Sequence, residues 1–238
     1  MVLSIDLNLK LKKLFSEKNF SKLEEEIEQL GNLENLTSNL QLLYATSKAL
    51  NIKSKKKDFK LASYLYEKLY RADQSNMELF YNLIFTSVKA TYFKYLETHI
   101  INQYQRKKDD TKILEGMGKM YSFYSDMDQA NNYYKQLLDI KPIYQSVWFS
   151  FLAGLNYSSN FDQNKYLNYC KKFDETQIIA IEEFKKTKNN KIKKVGFLSS
   201  DLKTHSVSFF LEDLLRNIKS DKFELHAISN LDVTNYDE

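Results

Sequence analysis

Leu114-Glu115-Gly116-Met117-Gly118-Lys119-Met120-Tyr121, with Ala130, Tyr134, Leu137 and Pro142 behind it, is the stretch that decides the fold. Its apolar residues recur at helical spacing on both sides of a short polar break. Gly118 and Ala130 are small where two helix backbones cross closely, and a larger side chain at either place would hold them apart. Tyr134 follows Ala130 by one helical turn and so lies on the same face. Pro142 lacks an N–H and clashes with the turn before it, which ends the second helix. The stretch reads as two antiparallel helices closed by a proline.

The unit recurs. Two periods of roughly 34 residues back from Ala130 stands Ala62, followed by Tyr66 and Leu69. Between these units Phe80, Leu83, Ile84 and Val88 supply a first helix. There the crossing position holds bulky Leu96 and an aromatic position holds Ser87, so this unit is expected to be degenerate. Past Pro142, residues Trp148, Phe151, Leu152 and Leu155 keep the phase. Residues 7–15, 23–30 and 36–50 are amphipathic but out of phase, which predicts a capping pair and a degenerate repeat. The pattern resembles the tetratricopeptide repeat. It implies a mainly α fold, an α-solenoid over residues 1–142, whose concave surface binds extended segments of partner proteins. Gly118, Ala130, Tyr134 and Trp148 are read as packing residues.

Composition agrees with this class. The 238 residues are 43% hydrophobic and 28% charged, with only 5 Gly and 1 Pro, which disfavours a turn-rich all-β fold. Tyr (17) and Phe (16) join Leu in the core. A net charge of +4 on mixed-sign surfaces argues against nucleic acid as a partner, since phosphate tracking needs a concentrated basic face. Cys170 is alone, so no internal disulfide is expected. No apolar run approaches the roughly 20 residues of a membrane span. The first residues lack the basic-then-apolar layout of a signal peptide, and the expected location is cytoplasmic. Three scattered histidines have no metal-site spacing; His99 and His226 are read as structural.

The pattern changes towards the end. Residues 162–188 stay helical in pattern through Tyr166, Tyr169, Cys170, Phe173, Ile178, Ile179, Ile181 and Phe184. The basic run 185–191 is read as a solvated linker, so that 143–190 forms a helical junction. Residues 193–199 predict a strand buried on both faces. Val207, Phe210, Leu211, Leu214, Leu215 and Ile218 predict a helix, and 223–228 a second strand. The order β–α–β implies a parallel sheet. Ligands of such sheets gather at the carboxyl ends of the strands, where residues 199–205 precede a helix N-terminus that favours anions. The loop has no Gly-rich cradle.

Val195-Gly196-Phe197-Leu198-Ser199-Ser200-Asp201, then His205-Ser206-Val207 and Phe223-Glu224-Leu225, resembles the start of the catalytic region of the protein O-GlcNAc transferase and SPINDLY family. Trp148-Phe149-Ser150-Phe151-Leu152 and Leu155-Asn156-Tyr157-Ser158 resemble that family's helical junction. The resemblance implies that 191–238 is the N-terminal fragment, the first β–α–β unit, of a GT-B-type glycosyltransferase domain. It implies transfer of a sugar from a nucleotide donor such as UDP-GlcNAc to Ser or Thr of acceptor proteins held by the repeats. His205 is implied as base or orienting residue near the reaction centre, with Asp201 supporting the same turn. The donor sugar stays open among GlcNAc, glucose and fucose.

The sequence also departs from the family. Ser206 stands where many members have Pro, and Phe209 where a His is common. The sixth repeat position, an Asn ladder in larger members, holds Lys48, Asn82, Gly116 and Ser150. The chain runs to Glu238 after one β–α–β unit. This polypeptide alone is therefore expected to bind no cofactor and to transfer no sugar; the nucleotide sugar belongs to a full-length enzyme. The alternative is a non-enzymatic repeat scaffold with a vestigial α/β tail.

Overall fold

The computed structural model describes residues 4–176, 193–218 and 223–229. The chain divides into two compact units, Met1–Ile178 and Ile179–Glu238.

The first unit is built from antiparallel helix pairs. They are α1 (Ile5–Ser16) with α2 (Phe20–Glu28), α3 (Ser38–Leu50) with α4 (Lys56–Ala72), α7 (Thr111–Phe123) with α8 (Met127–Ile140), and α9 (Gln145–Leu155) with α10 (Gln163–Thr176); between them α5 (Met77–Ala90) packs on α4 and α7, and α6 (Glu97–Arg106) packs on α7. Three starts show capping chemistry. Asn76, Asp110 and Asp126 each accept main-chain N–H groups from the first turn of α5, α7 and α8, groups that would otherwise lack a partner.

One continuous core runs through the pairs, from Leu11 and Leu14 to Trp148 and Phe151. Leu65, Tyr66, Phe80, Leu83, Leu114 and Tyr134 are buried; each contributes about 1.5–3 kcal/mol relative to exposure. The small residues lie where the sequence requires them. Ala62 and Ala130 are fully buried. A Cβ on Gly118 would come within 2.3 Å of the Tyr134 ring, so the glycine is what lets α7 lie against α8. Trp148 is buried and donates its indole N–H to the Pro142 carbonyl, tying the end of one pair to the start of the next.

The expected irregular unit is visible as a shortened second helix. The chain leaves α5 through Thr91 in the left-handed region, φ 50°, and α6 starts only at Glu97. Leu96 is completely buried at its start, and Phe93 fills the core against Phe123 and Tyr124.

The second unit holds β1 (Lys193–Ser199), α11 (Ser206–Asn217) and β2 (Phe223–Ser229). The strands pair in parallel, Val195 with Leu225 and Phe197 with Ala227. One expectation is corrected here: β1 is not buried on both faces. Val195 and Phe197 are half-buried, whereas Leu198 is exposed and, on β2, so is Ile228. Two strands and one helix supply too little surface to cover both sides among the described residues. The predicted helical residues Ile178, Ile179, Ile181 and Phe184, and the basic run 185–191, lie outside the described residues.

Candidate functional site

Two places were singled out by the sequence: the face made by the first helix of each pair, and the turn before α11. On the first, α5 and α7 lie side by side and leave a groove of about 500 Å³ lined by Tyr81, Asn82, Phe85, Lys89, Lys112, Glu115 and Gly116. Alternation along α5 explains the lining. Leu83, Ile84, Thr86 and Ser87 are buried, which leaves Asn82 half-buried and Phe85 and Lys89 outward.

The groove's charges are arranged in pairs with aromatic rings. Lys112 holds its ammonium 4.3 Å from the centre of the Tyr81 ring, and Lys89 holds its own 5.8 Å from that of Phe85. The Tyr81 hydroxyl donates to Asp110 at 2.5 Å. Burial and this hydrogen bond push the Tyr81 phenol up to about 12. Glu115 accepts from the Tyr144 hydroxyl at 2.7 Å. One turn further along α7, Lys119 donates to Ser150 Oγ at 3.1 Å.

The four sixth-position residues behave differently from one another. The Asn82 amide makes no hydrogen bond among the described residues, so it can clamp a peptide group from outside. Gly116 is bare because a Cβ would sit 2.7 Å from Ile100 and 2.9 Å from Ile84. Ser150 is engaged by Lys119 and by the Ser146 carbonyl. Lys48 is held by carboxylates of neighbouring elements. It lies in the last turn of α3, where its ammonium meets Glu24 at 2.7 Å and Asp58 at 3.5 Å. Burial works to lower the Lys48 pKa, but the hydrogen bond and charge of Glu24 outweigh it and hold the ammonium above its ordinary value. Phe85, Lys89 and Lys112 were not picked out from sequence. Their signal was Phe85 and Lys89 one turn apart in a helix whose neighbouring residues are all core.

In the second unit the structure brings Asp201 and His205 together. His205 is the N-cap of α11; its Nδ1 accepts the Val207 N–H at 3.3 Å, and its own N–H donates to Ser208 Oγ at 3.2 Å. Asp201 Oδ2 lies 3.8 Å from the same Nδ1. A ring nitrogen that accepts an N–H carries no proton. That leaves Nε2 as the ring nitrogen not engaged in the cap. Both side chains are open to solvent. The cleft alongside, about 600 Å³, is lined by Leu202, Lys203, Thr204, Phe209 and Arg216 among others.

The other two histidines are held by neighbours. His99 lies 3.3 Å from buried Glu67 and edge-on to Tyr70, and His226 is 2.9 Å from Glu224. Among the described residues no three His, Cys, Asp or Glu side chains are grouped to hold a metal ion, and no helix is long and apolar enough to cross a membrane.

A scan against protein-family models finds no match, and a search of curated proteins finds none. Solved structures are similar in fold. The tetratricopeptide protein YrrB, described as having an unusual peptide-binding site, is 18% identical, with TM-score 0.55 over 74% of this chain and 87% of YrrB. MamA of AMB-1 is 14% identical, with TM-score 0.52 over 73% of this chain and 98% of MamA. The O-GlcNAc transferase of Thermobaculum terrenum, in mutant form, is 14% identical, with TM-score 0.54. That match covers 84% of this chain and 39% of the transferase. The chain is thus a tetratricopeptide-like array of helix pairs followed by a small parallel sheet.

Proposed function

We propose that this chain is a protein-interaction scaffold of the cytoplasm whose α5–α7 groove takes an extended segment of a partner protein. The observation that carries this is the unengaged Asn82 amide beside exposed Phe85 in a groove of about 500 Å³. An amide that both donates and accepts can pair with one peptide group of an extended chain, and an exposed ring seats a side chain next to it. The solved YrrB, with the same kind of fold, is a peptide binder. Asn82→Ala and Phe85→Ala, at a half-buried and an exposed position of α5, are expected to abolish capture of peptides selected on the wild-type chain while leaving its helical circular dichroism unchanged. Undiminished capture by both variants would overturn the reading.

One observation favours a second reading. The transferase match covers more of this chain than the repeat unit contains, and Asp201 and His205 meet at the turn that the family resemblance singles out. On that reading the chain is the front part of a protein glycosyltransferase of GT-B type. His205 Nε2 would then orient a donor phosphate or acceptor carbonyl. Protein purified from its native host, incubated with labelled UDP-GlcNAc, is expected to place label on Ser or Thr and to lose that activity on His205→Ala. Absence of label with UDP-GlcNAc, UDP-glucose and a fucose donor alike would sink it.

A further inference from the structure

The lysines that border the α5–α7 groove have no carboxylate partner, whereas the carboxylates beside it keep their charge but already accept hydrogen bonds from within the fold. Among the described residues Lys89 and Lys112 form no ion pair, and neither does Lys119 one turn beyond. Asp110 and Glu115, by contrast, each accept a tyrosine hydroxyl, and Asp110 also accepts two main-chain N–H groups at the start of α7. The ammonium groups of Lys89 and Lys112 rest over the Phe85 and Tyr81 rings. This contact fixes a long side chain that would otherwise sample many rotamers. A ring steadies a cation without neutralising it, so both positive charges stay directed at whatever enters.

We infer that the groove selects an acidic segment: an extended polypeptide in which Asp or Glu side chains meet Lys89 and Lys112 and a neighbouring aromatic or aliphatic side chain lies on Phe85. The inference rests on the peptide-binding reading above and adds the charge of the partner. A neutral segment would cover both ammonium groups without a counter-charge, and a basic one would be repelled; each loses affinity relative to an acidic one.

The test is selection of random-peptide phage on the full chain, followed by fluorescence polarisation of the enriched peptides at low and high salt. Enriched peptides are expected to carry net negative charge next to an aromatic or aliphatic residue and to bind more weakly as salt rises. The charge-removing pair Lys89→Gln/Lys112→Gln is expected to weaken them about tenfold, the effect of losing two exposed ion pairs. Lys89→Glu/Lys112→Glu is expected to turn the selection towards Lys- and Arg-bearing peptides, an outcome that an unfolded variant cannot produce. Asn82→Ala should weaken acidic and swapped peptides alike. Enrichment of neutral or basic peptides on the wild-type chain overturns the charge assignment and leaves peptide binding standing. No enrichment at all removes both. Competition by single-stranded RNA as strong as that of the acidic peptide reassigns the lysines to any polyanion and also overturns it.

Discussion

Gly116 and Gly118 are two residues apart on α7 and face different neighbours, so the same substitution has different consequences. A methyl on Gly118 would enter the face of the Tyr134 ring, which is held on all sides in the core. Overpacking of that kind costs about 1–3 kcal/mol, more than the ~1 kcal/mol gained in helix propensity. A methyl on Gly116 meets the far end of Ile100 and the branch methyl of Ile84, which is fixed to Cβ and moves only with χ1; both side chains are in the core, so propensity offsets only part of the cost. Thermal unfolding should therefore show both variants destabilised, Gly118→Ala by more than Gly116→Ala. Tyr134→Leu, which opens space over residue 118, should remove much of the Gly118→Ala penalty in a double-mutant cycle. Gly118 was legible in the sequence because an apolar helical pattern has few other reasons to hold a glycine. Gly116 read as a groove position, because its reason, two isoleucines from α5 and α6, exists only once the helices are packed.

Between elements, the recurring device is a tyrosine hydroxyl donated to a carboxylate about one repeat away. Tyr64 reaches Glu34, Tyr81 reaches Asp110 and Tyr144 reaches Glu115, at sequence separations of 30, 29 and 29. The three phenols are held above their ordinary value. The Tyr81 phenol is raised, so its contribution to stability is complete below the ordinary value of 10.0 and is lost as pH climbs through about 12. Subtracting the phenolate absorbance titration of Tyr81→Phe from that of wild type should leave a single phenol with its midpoint near 12; a midpoint near 10.0 would show that the tie is absent. Hydrogen bonds from Tyr64 and Lys68 lower Glu34, and those from Ser158 and Ser159 lower Asp128. Their contributions are present above the ordinary carboxylate range and fade as pH falls below it. No single residue pattern announces such ties, because each partner is unremarkable until the repeat period places it opposite the other. The shortened α6 was better marked: Leu96 at a crossing position meant that a regular second helix could not fit.

For the whole molecule, stability is a sum over neighbours, since each pair packs mainly on the next. The described residues of α10 include none that is fully buried, nor do those of β1, α11 and β2, whereas α4, α5, α7 and α8 carry most of the core. Amide hydrogen exchange is expected to be slowest in α4, α5, α7 and α8 and faster in α10, with the second unit exchanging faster still. Equal protection of β1 and α8 would contradict this. The periodicity of α11 was readable as a face that seeks burial. The covering surface was not, because periodicity names the side of a helix and not its neighbour; Phe210 is 82% exposed and Leu214 53%.

The two glycines of α7 have a consequence on an evolutionary scale. One is closed by side chains from α5 and α6 and the other by a ring from α8, so three helices are fitted around absent side chains on a fourth. A neighbour can exchange one apolar residue for another of similar volume, but α7 has no smaller residue to retreat to. Among descendants of this sequence, drift should be slowest along α7, and compensating changes should cluster on the helices that touch it.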